Sequence, residues 1–400
     1  MNAHTTPDAR RIPSGIWVLG FVSLLMDVSS ELIHSLLPVF LVVGLGASAL
    51  TVGLIEGVAE ATALIVKVFS GTLSDYLGRR KSLAVIGYGL GAVSKPFFAL
   101  ATSAGAVFGA RFVDRIGKGI RGAPRDALIA DLAHDDARGA AYGLRQALDT
   151  LGALIGPLLA MGLMLLWSND FRAVFWVAVF PGGLAVLLLV VGVREPSQPA
   201  RDRRANPLHW REIERLRGPF WWVVGVGAAF SLARFSEAFL VLRAQEGGLP
   251  LAWVPLVLVT LNLVYSVSAY PFGRMSDTTS HVRLLALGLV VLIGADAVLA
   301  FADRWQTLLP GIALWGLHLG ITQGLLAAMV ANAAPADLRG TAFGLFNLIC
   351  GGSLLVASIF AGLLWDRLGP AAPFYAGAVF GLLALLLVAW GARTTRLPSE

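Results

Sequence analysis

Ionisable side chains recur at helical spacing inside segments that are otherwise apolar. Asp27, Glu31 and His34 follow one another at intervals of four and three residues, and at 100° per residue they share an arc of about 60°. Glu56, Glu60 and Lys67 share about 40° on a second apolar segment, and Arg111, Asp114, Arg115, Lys118, Arg121, Arg125 and Asp126 share about 140° on a fourth. Arg145 and Asp149 form an i,i+4 pair on a fifth. A charge at mid-membrane costs about 2.5–3.5 kcal/mol on insertion scales, so each of these groups needs a partner or water. Four such stripes must face one another or a shared aqueous cavity. Carboxylates there can take a proton from one side and release it on the other. The oxygens of Asp27 and Glu31 and the imidazole of His34 could also hold a divalent cation in competition with that proton. The cations of the fourth segment could instead bind an organic anion, or neutralise the carboxylates and hold the helices together. The second role suits Arg111, Lys67, Arg125 and Asp126, which lie toward the membrane edges. The second half of the chain offers only Arg234, Glu237, His318 and Gln323 in comparable places.

The segments that must position these groups follow from composition. The chain has 400 residues, 56% of them hydrophobic and only 14% charged; soluble domains carry about 25% charged residues. The composition points to an all-α polytopic membrane protein with no room for a large soluble domain. At about 20 residues per span, twelve spans can be read near 15–44, 49–70, 82–101, 105–131, 140–166, 173–193, 219–244, 252–272, 283–302, 306–333, 340–365 and 372–392. The pI of 9.8 reflects basic loops and intramembrane cations, so it gives no reason to expect nucleic acid. The single Cys350 excludes a disulfide between cysteines of this chain and any cage of cysteines around a metal. Lys and Arg concentrate on one side of the spans, which is therefore expected to be cytoplasmic together with both termini. The polar, proline-interrupted stretch 194–218 is the only long linker and divides residues 1–193 from 219–400.

The two parts repeat one another. Arg138-Gly-Ala-Ala-Tyr-Gly-Leu144 aligns with Arg339-Gly-Thr-Ala-Phe-Gly-Leu345, and Gly71-Thr-Leu-Ser-Asp75 with Gly273-Arg-Met-Ser-Asp277, both at an offset of about two hundred residues. A duplicated six-helix unit suggests two bundles rocking about a site between them.

Gly71-Thr-Leu-Ser-Asp75-Tyr-Leu-Gly78-Arg79-Arg80-Lys-Ser-Leu83 resembles the loop signature of the major facilitator superfamily, between the second and third helices. Arg115-Ile-Gly-Lys118-Gly119-Ile-Arg121-Gly-Ala resembles that family's fourth-helix pattern, and Gly152-Ala-Leu-Ile-Gly156-Pro157 its antiporter pattern. The resemblance covers the whole chain and implies twelve helices in two bundles. It also implies a link between Arg115 and proton coupling. Gly71 and Gly78 would allow a tight turn. Asp75, and Asp277 in the other half, would latch the inner gate, while Arg79, Arg80 and Lys81 would anchor to lipid. The run from Asp114 to Asp126, with Asp27-Val-Ser-Ser-Glu31, is similar to a bacterial permease branch that includes nickel-resistance exporters.

Together these features predict a proton-driven exporter of a small solute or metal cation in a bacterial inner membrane. It would act as a monomer without a cofactor, with protons and membrane lipid as its other partners. Proton and substrate binding would fall to Asp27, Glu31, His34, Glu56, Glu60, Arg115, Lys118, Arg121, Arg145 and Asp149. The alternatives are a carrier of organic anions or drug-like solutes using the fourth-helix cations, and an integral-membrane enzyme. Against the enzyme, no metal-binding pair of the H-E-x-x-H kind is present.

Overall fold

A computed structural model describes residues 12–77, 79–134, 137–195, 215–216, 218–335 and 338–394. Among them the chain forms twelve long helical segments and no strand. The first six are α1 (Ser14–Gly44), α2 (Ala49–Leu77), α3 (Arg80–Leu100), α4 (Ala104–Leu132), α5 (Arg138–Leu166) and α6 (Phe171–Gly192). The second six are α7 (Gly218–Glu246), α8 (Leu251–Ser276), α9 (His281–Phe301), α10 (Trp305–Ala333), α11 (Arg339–Leu368) and α12 (Ala372–Thr394). Eleven are long and apolar enough to cross a bilayer by their own composition. The twelfth, α4, carries too much charge for that, and it buries Arg111, Asp114, Arg115 and Arg121 inside the first bundle.

Three helices are interrupted within their length, and α8 begins as a 3-10 turn over Leu251–Trp253 before its α-helix starts at Leu256. The regular α-helix of α1 stops at His34, and the chain turns at Ser35 and Leu36 before resuming at Leu37 with a wider π turn over Phe40–Gly44. Pro38, lacking an N–H, sits at the restart. α7 opens between Ala233 and Ala238, and α10 at Gln323 and Gly324, where Gly324 has φ +76°. At the repeat offset of about two hundred residues, the breaks in α1 and α7 correspond. The break in α10 has no counterpart in α4, which runs unbroken from Ala104 to Leu132.

The packing differs between the two ends of the molecule. At one end a single apolar core crosses both halves, joining Leu36, Leu37 and Val52 to Phe239, Leu258 and Ala361. Toward the other end each half closes on itself. Ile16, Leu19, Tyr88, Leu128 and Leu189 form one core, and Phe220, Leu285, Val330, Ala342 and Val388 form another. The joined end is held chiefly by α2 against α11. A methyl group on Gly53 would sit 2.1 Å from the Ser358 carbonyl oxygen, so the two backbones approach as closely as glycine permits. The Asp366 carboxylate of α11 accepts from the N–H groups of Ala49 and Leu50 at 3.1 and 3.0 Å, capping α2 from the opposite bundle. Asn262 Nδ2 of α8 donates to the Ala153 carbonyl of α5 at 3.2 Å. The molecule is therefore sealed at this end. Toward the end that carries the basic loops the cores of the two halves separate, while α2 and α11 stay together as far as Val68, which a methyl on Gly344 would meet at 3.1 Å.

Candidate functional site

The charged stripes of α1, α2, α4 and α5 meet inside the first bundle, where burial forces them to pair. Nearest the sealed end, Arg111 Nη2 donates to Glu56 Oε2 at 2.7 Å, and both side chains are almost wholly buried. His34 lies between two acids, with Nε2 3.6 Å from Glu56 and Nδ1 3.6 Å from Glu31. One turn on, Lys95 Nζ of α3 donates to Asp114 Oδ1 at 2.8 Å and to Ser30 Oγ at 3.0 Å. Arg115 Nη1 lies 3.2 Å from Glu60 Oε1.

Toward the open end the pairing loosens. Arg121 Nη2 is 3.8 Å from Asp27 Oδ1, and its guanidinium stacks over the Tyr88 ring at 4.7 Å. Asp149 is shared by Arg145 at 3.3 Å and Arg125 at 3.7 Å, and Asp126 lies 3.2 Å from Arg125 Nε. Asp27 and Asp149 are electrostatic neighbours across α1 and α5. Gly152 and Gly156 make this approach possible: a methyl at the first would lie 3.1 Å from Asp27 Cβ, and at the second 2.6 Å from Glu31 Cβ. The glycine stripe that resembles an antiporter pattern is thus the surface on which the α1 acids rest. The side chain of Asp27 is 26% exposed and that of Glu60 32%, against 1% for Glu56, so solvent reaches the network from between the halves. Lys118 is exposed, and among the described residues no ion pair within 4 Å holds it. From the second half, Glu237 lies within electrostatic reach of His34, Glu31 and Glu60. A proton taken up by one of these carboxylates would release its cation partner and leave the network one positive charge richer.

The ten residues expected to bind proton or substrate all lie in or beside this network. The metal trio does not assemble. Asp27 turns to Arg121 while His34 sits between Glu31 and Glu56, and among the described residues no three His, Cys, Asp or Glu side chains converge as metal ligands. The gating expectations also change. Gly71 lies within helix α2, where it leaves α2 close against Ala123 and makes no turn. Arg80 is buried, paired with Asp131 and donating to the Ala127 carbonyl at 3.0 Å, and Lys81 Nζ donates to the Val190 carbonyl at 2.8 Å. Both tie the α2–α3 corner to the bundle, where lipid anchoring was expected. Arg79 and Asp277 are exposed. Gly78, the Asp75 side chain and residues 196–214 of the linker lie outside the described residues.

Lys95 is the member that sequence reasoning missed. Its signal is a lone lysine before Pro96 in the middle of an apolar span. Asp296, in the apolar α9, went unnoticed in the same way.

Comparison with known proteins agrees with this architecture. The model of the Major Facilitator Superfamily matches residues 19–351 and 244–400. An uncharacterized MFS-type transporter of Methanocaldococcus jannaschii is 32% identical over 387 residues, 95% of each chain. The multidrug resistance protein MdtH of Photorhabdus laumondii is 26% identical over 386 residues, covering 93% of this chain and 92% of that one. A solved point mutant of the peptide transporter POT superposes with a TM-score of 0.79 at 16% identity over 96% of both chains, a likeness of fold alone. By this match and its twelve-helix, two-bundle architecture, the chain belongs to the major facilitator superfamily and is a secondary membrane transporter, not an enzyme.

Proposed function

We propose that this transporter exports a small organic solute across a bacterial cytoplasmic membrane in exchange for protons. The excess of Lys and Arg at the open end makes that end cytoplasmic, so the shape described above is inward-open and a solute enters between the halves from inside. The observation that carries the reading is the pairing of the partly exposed Asp27 with the buried Arg121, with Asp149 beside Asp27. A proton on Asp27 removes the charge that holds Arg121. The cation is then free to take a new partner, and α1 is free to shift against α4. A cationic group on the solute and the proton compete for the Asp27 carboxylate, which couples their fluxes in opposite directions without further machinery.

An organic solute fits better than a metal ion because the metal trio is not assembled, whereas Lys118 offers an exposed cation to an acidic group. Resemblance to a protein named for multidrug resistance supports export. The test is a screen in everted vesicles energised to a proton gradient, with organic anions, cations and zwitterions added singly and a pH-sensitive dye as readout. A carried solute dissipates the gradient in wild-type vesicles and not in Asp27→Asn vesicles. Solutes that cross without moving protons would contradict the proposal.

A further inference from the structure

Among the described residues, and apart from the first-bundle network, one carboxylate is buried without a countercharge. Asp296 of α9 is 0% exposed. Its Oδ1 accepts the indole N–H of Trp315 on α10 at 3.1 Å, and its Oδ2 has no hydrogen-bond partner among the described residues. Each helix packed around it has a side chain to account for. From α10 come Trp315 and, one turn away, His318, whose Nδ1 is engaged by the Gly288 carbonyl at 2.8 Å and whose ring stacks on Phe230 at 5.2 Å. From α12 comes Gly377, bare enough that a methyl there would sit 2.5 Å from Asp296 Oδ2. From α7 comes Phe235, whose ring edge meets that same methyl position at 3.1 Å and which packs on Trp315 and Phe374 at 6.1 and 5.4 Å. The charged residues Arg234 and Glu237 flank Phe235 in the chain. Among the described residues no ion pair joins Asp296 to either of them.

An unpaired carboxylate in such an interior is far cheaper to bury with its proton than without it. Phe235 also sits in the break of α7, where the backbone leaves the helix and Ser236 N–H donates to Ser358 Oγ of α11 at 3.2 Å. Ser358 is the residue whose carbonyl abuts Gly53 of α2. The ring covering Asp296 is thus hung on the contact that seals the outer end.

We propose that Asp296 is a second proton-binding site, in the C-terminal bundle, loaded while the outer end is sealed and opened to water by movement of Phe235 at the α7 break. The inference rests on the proton-coupled reading above and places one of its protons outside the first-bundle network.

Infrared difference spectroscopy of the purified full-length protein in lipid tests it without a transported solute. The wild type should show the C=O stretch of a protonated carboxylic acid that is missing from Asp296→Asn. On transfer to deuterated buffer that band should shift slowly in the wild type and at least about tenfold faster in Phe235→Ala. Absence of a band assignable to Asp296 overturns the proposal. So does a band that never exchanges in either protein, since Asp296 would then be a fixed hydrogen-bonding group. Transport assays separate the two readings. Proton-driven transport with no Asp296 band removes this site alone, whereas an exchanging band with transport indifferent to pH removes the coupling and leaves the site.

Discussion

Glu56 and Arg111 show what burial demands of a single pair. With both side chains enclosed and 2.7 Å apart, neither can lose its partner to water. Glu56→Gln should therefore lower stability by about 3–5 kcal/mol, the usual cost of stranding one buried charge, and be seen as an earlier thermal unfolding transition in detergent. An unchanged transition would mean that water already reaches the pair. Asp27→Asn, at a looser and wetter pair, should leave the melting transition near that of the wild type. The stripes themselves were legible in the sequence because 100° arithmetic collects charges onto one face, as with Asp27, Glu31 and His34. The pairing was not legible, since azimuth on one helix says nothing of the neighbour's rotation. It sent Asp27 toward Glu31 and His34, whereas packing on Gly152 turned it toward Arg121 and Asp149. Lys95, with no charged neighbour at helical spacing on its own segment, produced no stripe and was missed, although it holds Asp114 at 2.8 Å.

The contact of α2 with α11 acts as the outer seal, and its parts can be weakened separately. Gly53→Ala places a methyl against the Ser358 carbonyl, an overpacking that costs about 1–3 kcal/mol. Asp366→Ala removes the cap from the start of α2 and costs about 1 kcal/mol. Both burdens fall on the sealed outer end alone, so both should shift the population toward an outward-open form. Spin labels in the α1–α2 and α11–α12 loops should report a longer mean distance in each variant. An unchanged distribution in both would show that the seal lies elsewhere. Span count and the repeat were legible from apolar run length and the two matched motifs. Of the breaks, only α1 carried a proline signal, at Pro38. The α7 break follows from contacts such as Ser236 with Ser358, which join residues far apart in the chain.

At the scale of the whole molecule, the account requires an orientation and a coupling. Orientation is checked on a Cys350→Ser background. Asp202→Cys should react with an impermeant thiol reagent only after permeabilisation, and Asp170→Cys should react in intact cells. The reverse pattern would turn the inward-open reading into an outward-open one. Coupling is the central claim, and reconstituted protein tests it most directly. With a solute identified by the vesicle screen, solute exchange at equal pH is compared with accumulation driven by an imposed pH gradient, for wild type and Asp27→Asn. The account predicts that the wild type does both, while Asp27→Asn still exchanges solute and no longer concentrates it. Gradient-driven accumulation at wild-type levels by Asp27→Asn would contradict the assignment of coupling to this carboxylate.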